Sequence, residues 1–381
     1  MCRKEIYFDN SATTRVCPEA MQAACQAMEL SYGNASSLHR KGVEAARLLA
    51  DARRLFAALL QVKEQELFFT SCATESNNTA ICGIAAANRR RGLRVLVSAV
   101  EHPSVLEPAL ALREQGFQVE QIPVDKSGRV DLAAFAALLQ ADTVLVSVQH
   151  VNNETGAVQP LTEIGALVRR QAPNAAFHVD GVQGFTKLPV ELARWQADAY
   201  SLSGHKIAAP KGVGLLWLKK GIRCLPLLRG GGQEGHFRSG TENIPFISAF
   251  AAAAQKYARP STQMGAVRQA LAQALQERVP NCHFNSDLSM GAPHILNVSF
   301  PGAKSEVLLH TLEQAGLFVS SGSACHSNKK DAQSPVLRAM GLPRELADCA
   351  IRYSFCPENT VEEALAAADI TARAVDMLRK L

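Results

Sequence analysis

The sequence predicts an α/β fold, a mainly parallel sheet covered by helices on both faces, followed by a smaller α+β C-terminal domain. Three observations carry that expectation. Short β-rich runs alternate with Ala/Leu-rich helical stretches through the first two thirds of the chain, the pattern changes near residue 258, and 381 residues exceed one ordinary domain. With 47% hydrophobic and only 20% charged residues, a core is not in short supply and a disordered or fibrous chain is excluded.

The strands are expected at LFF (67–69), RVLVSAV (94–100), VEQIPV (119–124), TVLVSVQ (143–149), AAFHVD (175–180), DAYSLS (198–203) and VGLLWL (213–218). Helical segments near 74–90, 103–115, 131–140 and 161–171 separate most of them, and strand-helix-strand repetition makes the sheet mainly parallel. A long helix-like segment, 243–258, ends at ARPSTQ (258–263), where Pro260 and small polar residues suit a linker. Beyond it come a helix near 263–278, a strand HILNVSF (294–300), a helix near 305–315, a strand RYSF (352–355) and a terminal helix near 360–380.

A net charge of +5 from 40 basic and 35 acidic residues makes no strong field, so direct nucleic-acid binding is not expected. Nor is a membrane span, because no apolar run approaches about 18 residues. The ten cysteines form no CxxC, which argues against a zinc knuckle or thioredoxin motif and for a reducing, cytoplasmic setting.

The sharpest chemical feature is SLSGHK (201–206) taken with HVDGVQ (178–183). Asp180 closes one expected strand and Lys206 follows the next, with chain enough between them for one right-handed crossover. If those strands are neighbours, a carboxylate and an amine converge on the C-terminal sheet edge, where open α/β sheets bind ligands. A Schiff-base Lys with an Asp against a protonated pyridine nitrogen is what pyridoxal phosphate requires. Taken singly, either residue is more often a surface Lys or a strand-end Asp, and Lys211, the rival amine, sits in a turn-like PKGVG.

A phosphate needs a cradle, and SCATESNN (71–78) offers one where Ala73 and Thr74 open a helix after a strand, although Thr at a helix start is also an ordinary cap. Ser203, His205, Arg238 and Thr241 could add donors, and Gly230–Gly232 reads either as an anion nest or as a flexible turn. His102, after strand 94–100, falls on the same edge, where an imidazole could stack on an aromatic ring and shuttle protons or be merely structural. Asn153 and Gln183 could hydrogen-bond a phenolic ring oxygen or serve turn chemistry. Cys325 lies in SSGSACHSN (320–328), expected to be an exposed mobile loop unlike the apolar settings of Cys25 and Cys82.

YFDNSATT, NASSLHRKG, CATESNN, EHPSV, VNNETG, HVDGVQ, SGHK, RSGTEN, SSGSAC and IRYSF run in order from residue 7 to 355. Jointly they resemble the cysteine desulfurases of the nitrogenase and iron-sulfur-assembly type, within the class V aminotransferase group of fold-type I pyridoxal phosphate enzymes. The resemblance implies a large cofactor-binding domain, 16–258, and a small domain of 1–15 with 259–381 that carries the catalytic cysteine loop at about 320–334. It implies that Lys206 holds pyridoxal 5'-phosphate covalently, Asp180 pairs with the pyridine nitrogen, His102 stacks on the ring and acts in acid/base steps, and Gln183 contacts the ring oxygen. Asn153 lies beside ring and substrate. Ala73, Thr74, Ser203 and His205 hold the phosphate, joined by Thr241 from the other subunit of a homodimer. Arg352 clamps the substrate carboxylate, and Cys325 takes the sulfur. No resident metal is implied, only Cys325 as a transient iron-sulfur ligand.

The implied reaction converts L-cysteine to L-alanine and leaves a Cys325 persulfide, which passes to an iron-sulfur scaffold or to a tRNA or thiamine thiolation enzyme. Selenocysteine lyase activity shares the cofactor residues, and a sulfur-carrier or docking protein without turnover is the alternative outside enzymes. Three positions depart from the family pattern: Cys72 where Gly is frequent, Gly181 where Ala commonly packs on the ring, and Gln149 where Met is frequent.

Overall fold

The computed structural model describes residues 5–321 and 334–380. The chain opens with a short strand β1 (Ile6–Tyr7) and two helices, α1 (Pro18–Leu30) and α2 (Arg40–Leu60). Seven strands then build the large sheet: β2 (Leu67–Thr70), β3 (Arg94–Ser98), β4 (Gln118–Ile122), β5 (Thr143–Ser147), β6 (Ala176–Asp180), β7 (Ala199–Ser203) and β8 (Gly214–Leu218). Between and after them lie α3 (Ala73–Asn88), α4 (Pro103–Ala111), α5 (Leu132–Leu138), α6 (Leu161–Gln171) and α7 (Ile244–Lys256). The order across the sheet is β2-β8-β7-β6-β5-β3-β4, and only β8 runs antiparallel to its neighbours.

β5, β6, β7 and β8 are buried along their whole length because both sheet faces are covered. One face packs Leu96, Val146 and Val179 against Phe56 of α2, Ile164 of α6 and Phe250 of α7. The other packs Val95, Val97 and Leu145 against Ile81 and Ile84 of α3 and Val105 of α4. The connection from β6 to β7 contains turns and no helix, so the two strands that frame the expected site are joined tightly.

A second sheet follows, built from β9 (His283–Phe284), β10 (Ile295–Ser299), β12 (Ser320–Ser321) and β13 (Ala350–Ser354) in the order β12-β13-β10-β9, all antiparallel. Helices α8 (Gln263–Arg278), α9 (Ser305–Gln314) and α12 (Val361–Arg379) cover it, β11 (Leu317–Phe318) pairs with β1, and two short helices, α10 (Pro335–Ala339) and α11 (Arg344–Ala347), precede β13. Its core joins Val298, Ile351, Leu271 and Leu308 to Ile6 and Phe8 from the start of the chain.

Three local expectations are corrected. Ser320 and Ser321 are not loop: they pair with Arg352 and Ile351 of β13, and Ser334 caps α10 through its hydroxyl. Cys25 is exposed, because α1 buries an alanine stripe, Ala20, Ala24 and Ala27, from which residue 25 is rotated away. The helices α1 and α2 do not figure among the expected elements, and their buried faces are largely alanine.

Candidate active site

Strand directions gather the site on one edge. β6 and β7 are parallel with Asp180 beside Ser201, and Ser203 and Thr70 both pair with Gly214 at the start of β8. The ends of β2, β3, β5, β6 and β7 therefore share an edge that carries Thr74, His102, Asn153, Asp180 and Ser203 on or just past it. Gly214 makes the close seating of α3 possible: a Cβ there would lie 2.7 Å from the carbonyl carbon of Cys72 and 2.8 Å from the Leu202 oxygen.

Lys206 ends a short 3-10 turn, Gly204–Lys206, directly after β7. Its Nζ donates to the carbonyls of Ser11 (2.6 Å) and Ala12 (2.8 Å), and Gln183 Nε2 donates to Ser11 O as well (3.0 Å). Thr14 Oγ1 donates to His205 O at 2.8 Å and accepts from Ala208 N at 2.7 Å, so residues 11–14 clasp the lysine turn. The same segment is held on the second sheet through Asn10 N to Ser354 O and Ser354 N to Phe8 O. Beneath the turn, buried Lys187 donates to Lys206 O at 3.0 Å; burial and then the charge of Lys206 lower its pKa to about 7. Lys211 is exposed in a bend.

Asp180 is buried, accepting from Val182 N (3.0 Å) and from Asn77 Nδ2 (2.9 Å) on α3. Asn77 Nδ2 also reaches Ser104 Oγ at 2.9 Å, and Ser104 Oγ lies 2.8 Å from Nδ1 of His102, the exposed N-cap of α4. Behind them is a second carboxylate, Glu101, fully buried, with Oε1 accepting from Ser98 Oγ and Gln149 N, both at 2.7 Å. Burial, then the charge of Asp180, push its pKa up to about 8. Gln149 itself is buried and donates to Val100 O.

At the expected phosphate cradle, Ala73 and Thr74 are the first two residues of α3, whose N-cap is Cys72, and no side chain caps the end. Thr74 is therefore not the ordinary cap that a helix-start threonine suggests. His205 Nδ1 is paired with Thr13 Oγ1 at 3.2 Å, and burial followed by the charges of Lys206, Lys211 and Lys187 lowers its pKa to about 4, so the ring is neutral. Arg238 forms a two-pronged bond to Glu75 of α3, 2.7 and 3.2 Å, through Nε and Nη2. Thr241 is exposed, and Gly230–Gly232 lie in an exposed turn in which Gly232 alone has positive φ, 87°.

The space beside Gly181 is occupied by Tyr200, whose ring a Cβ at 181 would meet at 2.0 Å. Gly181 thus faces the buried Tyr200, which pairs with His150 Nδ1 at 3.2 Å.

Arg352, on β13, closes the site from the second sheet. It donates to Asn153 O at 3.0 Å and to Asp9 Oδ1 at 2.7 Å. Ser334 binds buried Glu154 at 2.5 Å, so the described residues on both sides of 322–333 are anchored beside Arg352 or the VNNETG loop. Cys325 lies outside the described residues. Sequence reasoning missed Asn77, Ser104, Lys187 and the clasp 11–14, of which the motifs SNN, EHPSV and DNSATT gave a signal and Lys187 gave none.

Residues 6–366 match the family model for class-V aminotransferases. The chain belongs to that family. Its relatives include a NifS/IcsS protein homolog of Lactobacillus delbrueckii subsp. bulgaricus, 42% identical over 94% of each chain, and a cysteine desulfurase of Nostoc, 38% identical over 99% of this chain and 94% of the relative. Among solved structures, a NifS-like protein superposes with a TM-score of 0.91 at 35% identity over 99% of this chain and all of that one. SspA in complex with cysteine gives 0.82 at 30% identity, covering 93% of this chain and 99% of that one. This class-V aminotransferase chain is thereby an α/β, fold-type I member with the parallel sheet its sequence predicts.

Proposed function

We propose that this class-V aminotransferase family member is a pyridoxal 5'-phosphate-dependent cysteine desulfurase that converts L-cysteine to L-alanine and keeps the sulfur as a persulfide on Cys325. The observation that carries the reading is the gathering of the amine turn of Lys206 and the buried carboxylate Asp180 at one edge of the large sheet, with the guanidinium of Arg352 brought from the second sheet by its bonds to Asn153 and Asp9. Three buried polar atoms there, Ser11 Oγ, Gln183 Oε1 and Arg352 Nε, have no hydrogen-bond partner among the described residues, as befits a site built for a polar ligand.

Lys206 would hold the cofactor covalently, Asp180 would face its ring nitrogen, Gln183 its ring oxygen, and Asn153 would lie beside ring and substrate. The uncapped start of α3 at Ala73 and Thr74, with Ser203 and His205, would take the phosphate. Bound there, the cofactor supplies an electron sink for the bond broken at the substrate α-carbon. Lys206 as a free amine would be the base for the α-proton, and His102 would serve as a second proton-transfer group. Arg352 would orient the substrate carboxylate through the edge that carries its unpartnered Nε. Cys325 as thiolate would attack the substrate sulfur, forming the S–S bond while the C–S bond breaks; the C–S electron pair stays on the substrate carbon, which takes up a proton and leaves as alanine.

The division into a large unit, 16–258, and a small one, 1–15 with 259–381, is supported by their separate sheets and cores. A homodimer is supported by the exposed run Leu225, Leu227 and Leu228, which touches the Thr241 segment through Ser239 N to Leu228 O, and would let Thr241 reach the partner's phosphate. Among the described residues no helix is long and apolar enough to cross a membrane; a cytoplasmic setting and an iron-sulfur scaffold or thiolation enzyme as sulfur acceptor belong to the same proposal.

The test is cofactor absorbance together with alanine release from L-cysteine. Alanine in step with sulfur transfer supports the reading, alanine from selenocysteine alone indicates the lyase, and no turnover with the cofactor bound indicates a carrier.

A further inference from the structure

We propose that Asn77 and Ser104 are positioning residues that fix the tautomer of His102, with Nδ1 bare and the proton on Nε2. The inference deepens the reading above, resting on Asp180 being the ionised partner of the ring nitrogen.

Asn77 is fully buried on α3, and its Nδ2 donates to Asp180 Oδ2 and to Ser104 Oγ, both at 2.9 Å. A carboxylate only accepts, so the amide nitrogen must face Asp180; the flipped amide would set its oxygen against the negative charge. Among the described residues Asn77 Oδ1 consequently has no partner, and the structure tolerates that cost to keep the orientation. Ser104 Oγ, having accepted from Asn77, has one hydrogen to give, and His102 Nδ1 stands 2.8 Å away. The backbone N–H of Ser104 donates to the same nitrogen at 3.1 Å. Two donors converge on Nδ1, so in the neutral ring the proton sits on Nε2.

The charge of Asp180 thus sets the direction of the whole chain, from Asn77 through Ser104 to the imidazole. His102 enters the reaction as a donor through Nε2, and a proton at Nδ1 would require both Ser104 donors, hydroxyl and backbone N–H, to release it.

Long-range proton-nitrogen correlation spectra of the full-length holoenzyme carrying isotopically labelled histidine test this, with His102 assigned by the signal missing in His102→Gln. The expected spectrum shows Nδ1 as an unprotonated acceptor and Nε2 as protonated; a proton on Nδ1 overturns the proposal. Asn77→Ala and Ser104→Ala are each expected to raise the ratio of the Nδ1–H to the Nε2–H form by roughly two- to tenfold, the worth of one neutral hydrogen bond. An unchanged ratio in both also overturns it. Should Asn77→Ala fail to fold, the wild-type spectrum and Ser104→Ala decide. Because the tautomer is read without turnover, absence of desulfurase activity would count against the proposed function and leave this measurement standing.

Discussion

Arg352 and Glu101 show how single side chains set the chemistry of this edge. Arg352 holds one carboxylate, Asp9, through Nη2 and a carbonyl, Asn153 O, through Nη1, leaving Nε without a partner among the described residues. Arg352→Lys is expected to lower kcat/KM for cysteine by one to three orders of magnitude, roughly 1.4 to 4 kcal/mol, with cofactor content unchanged. Unaltered kinetics would remove Arg352 from substrate binding. Glu101 titrates near 8 in the fold against about 4.3 in an unfolded chain, so the folded state keeps a proton that the unfolded state releases. Its stabilising contribution is full below pH 4.3 and is lost as pH rises to 8. Urea unfolding should therefore find Glu101→Gln gaining on the parent between pH 5 and 8, by about 1.4 kcal/mol for each pH unit crossed; parallel pH slopes would contradict the burial of this acid, without a cationic partner among the described residues, beside Asp180. Lys206, Asp180 and His102 were legible in the sequence because each closes or follows a strand. Asn77 and Ser104 were not, since a buried amide on a helix reads like any other until the carboxylate it faces is located.

At the scale of elements, the start of α3 depends on how closely its backbone approaches β8. Gly214→Ala would press a methyl group onto two backbone atoms that cannot give way, the Cys72 carbonyl carbon and the Leu202 oxygen. The expected cost is about 1–3 kcal/mol of stability, with weakened retention of cofactor, measured by thermal unfolding and cofactor titration. Parent-like values for both would show that the cradle does not need this contact. The strands from 67 to 218 could be read directly, because a sheet buried on both faces demands continuous Val, Ile and Leu runs. The helices α1 and α2 escaped because Ala20, Ala24, Ala27, Ala45, Ala52 and Ala57 make a weak apolar stripe. The strands β1, β9, β11 and β12 have two residues each, too few to show alternation.

Across the whole molecule, the segment from Phe8 to Thr14 ties the second sheet to the lysine turn, and Arg352 returns the link to Asn153. DNSATT stood out in the sequence only as a family signature; its clasping role needs the contact between residues almost 200 positions apart. The exposed leucines extend the argument to the assembly. The double variant Leu227→Asp, Leu228→Asp is expected to elute as a monomer with reduced cofactor retention, and a dimer of unchanged size would move the interface elsewhere. The central claim is that sulfur leaves cysteine for Cys325. Mass spectrometry of the holoenzyme after brief exposure to L-cysteine tests it directly: one added sulfur on Cys325, with an equivalent of alanine released, is the predicted result, and sulfur on Cys349 or Cys356 with none on Cys325 would contradict it.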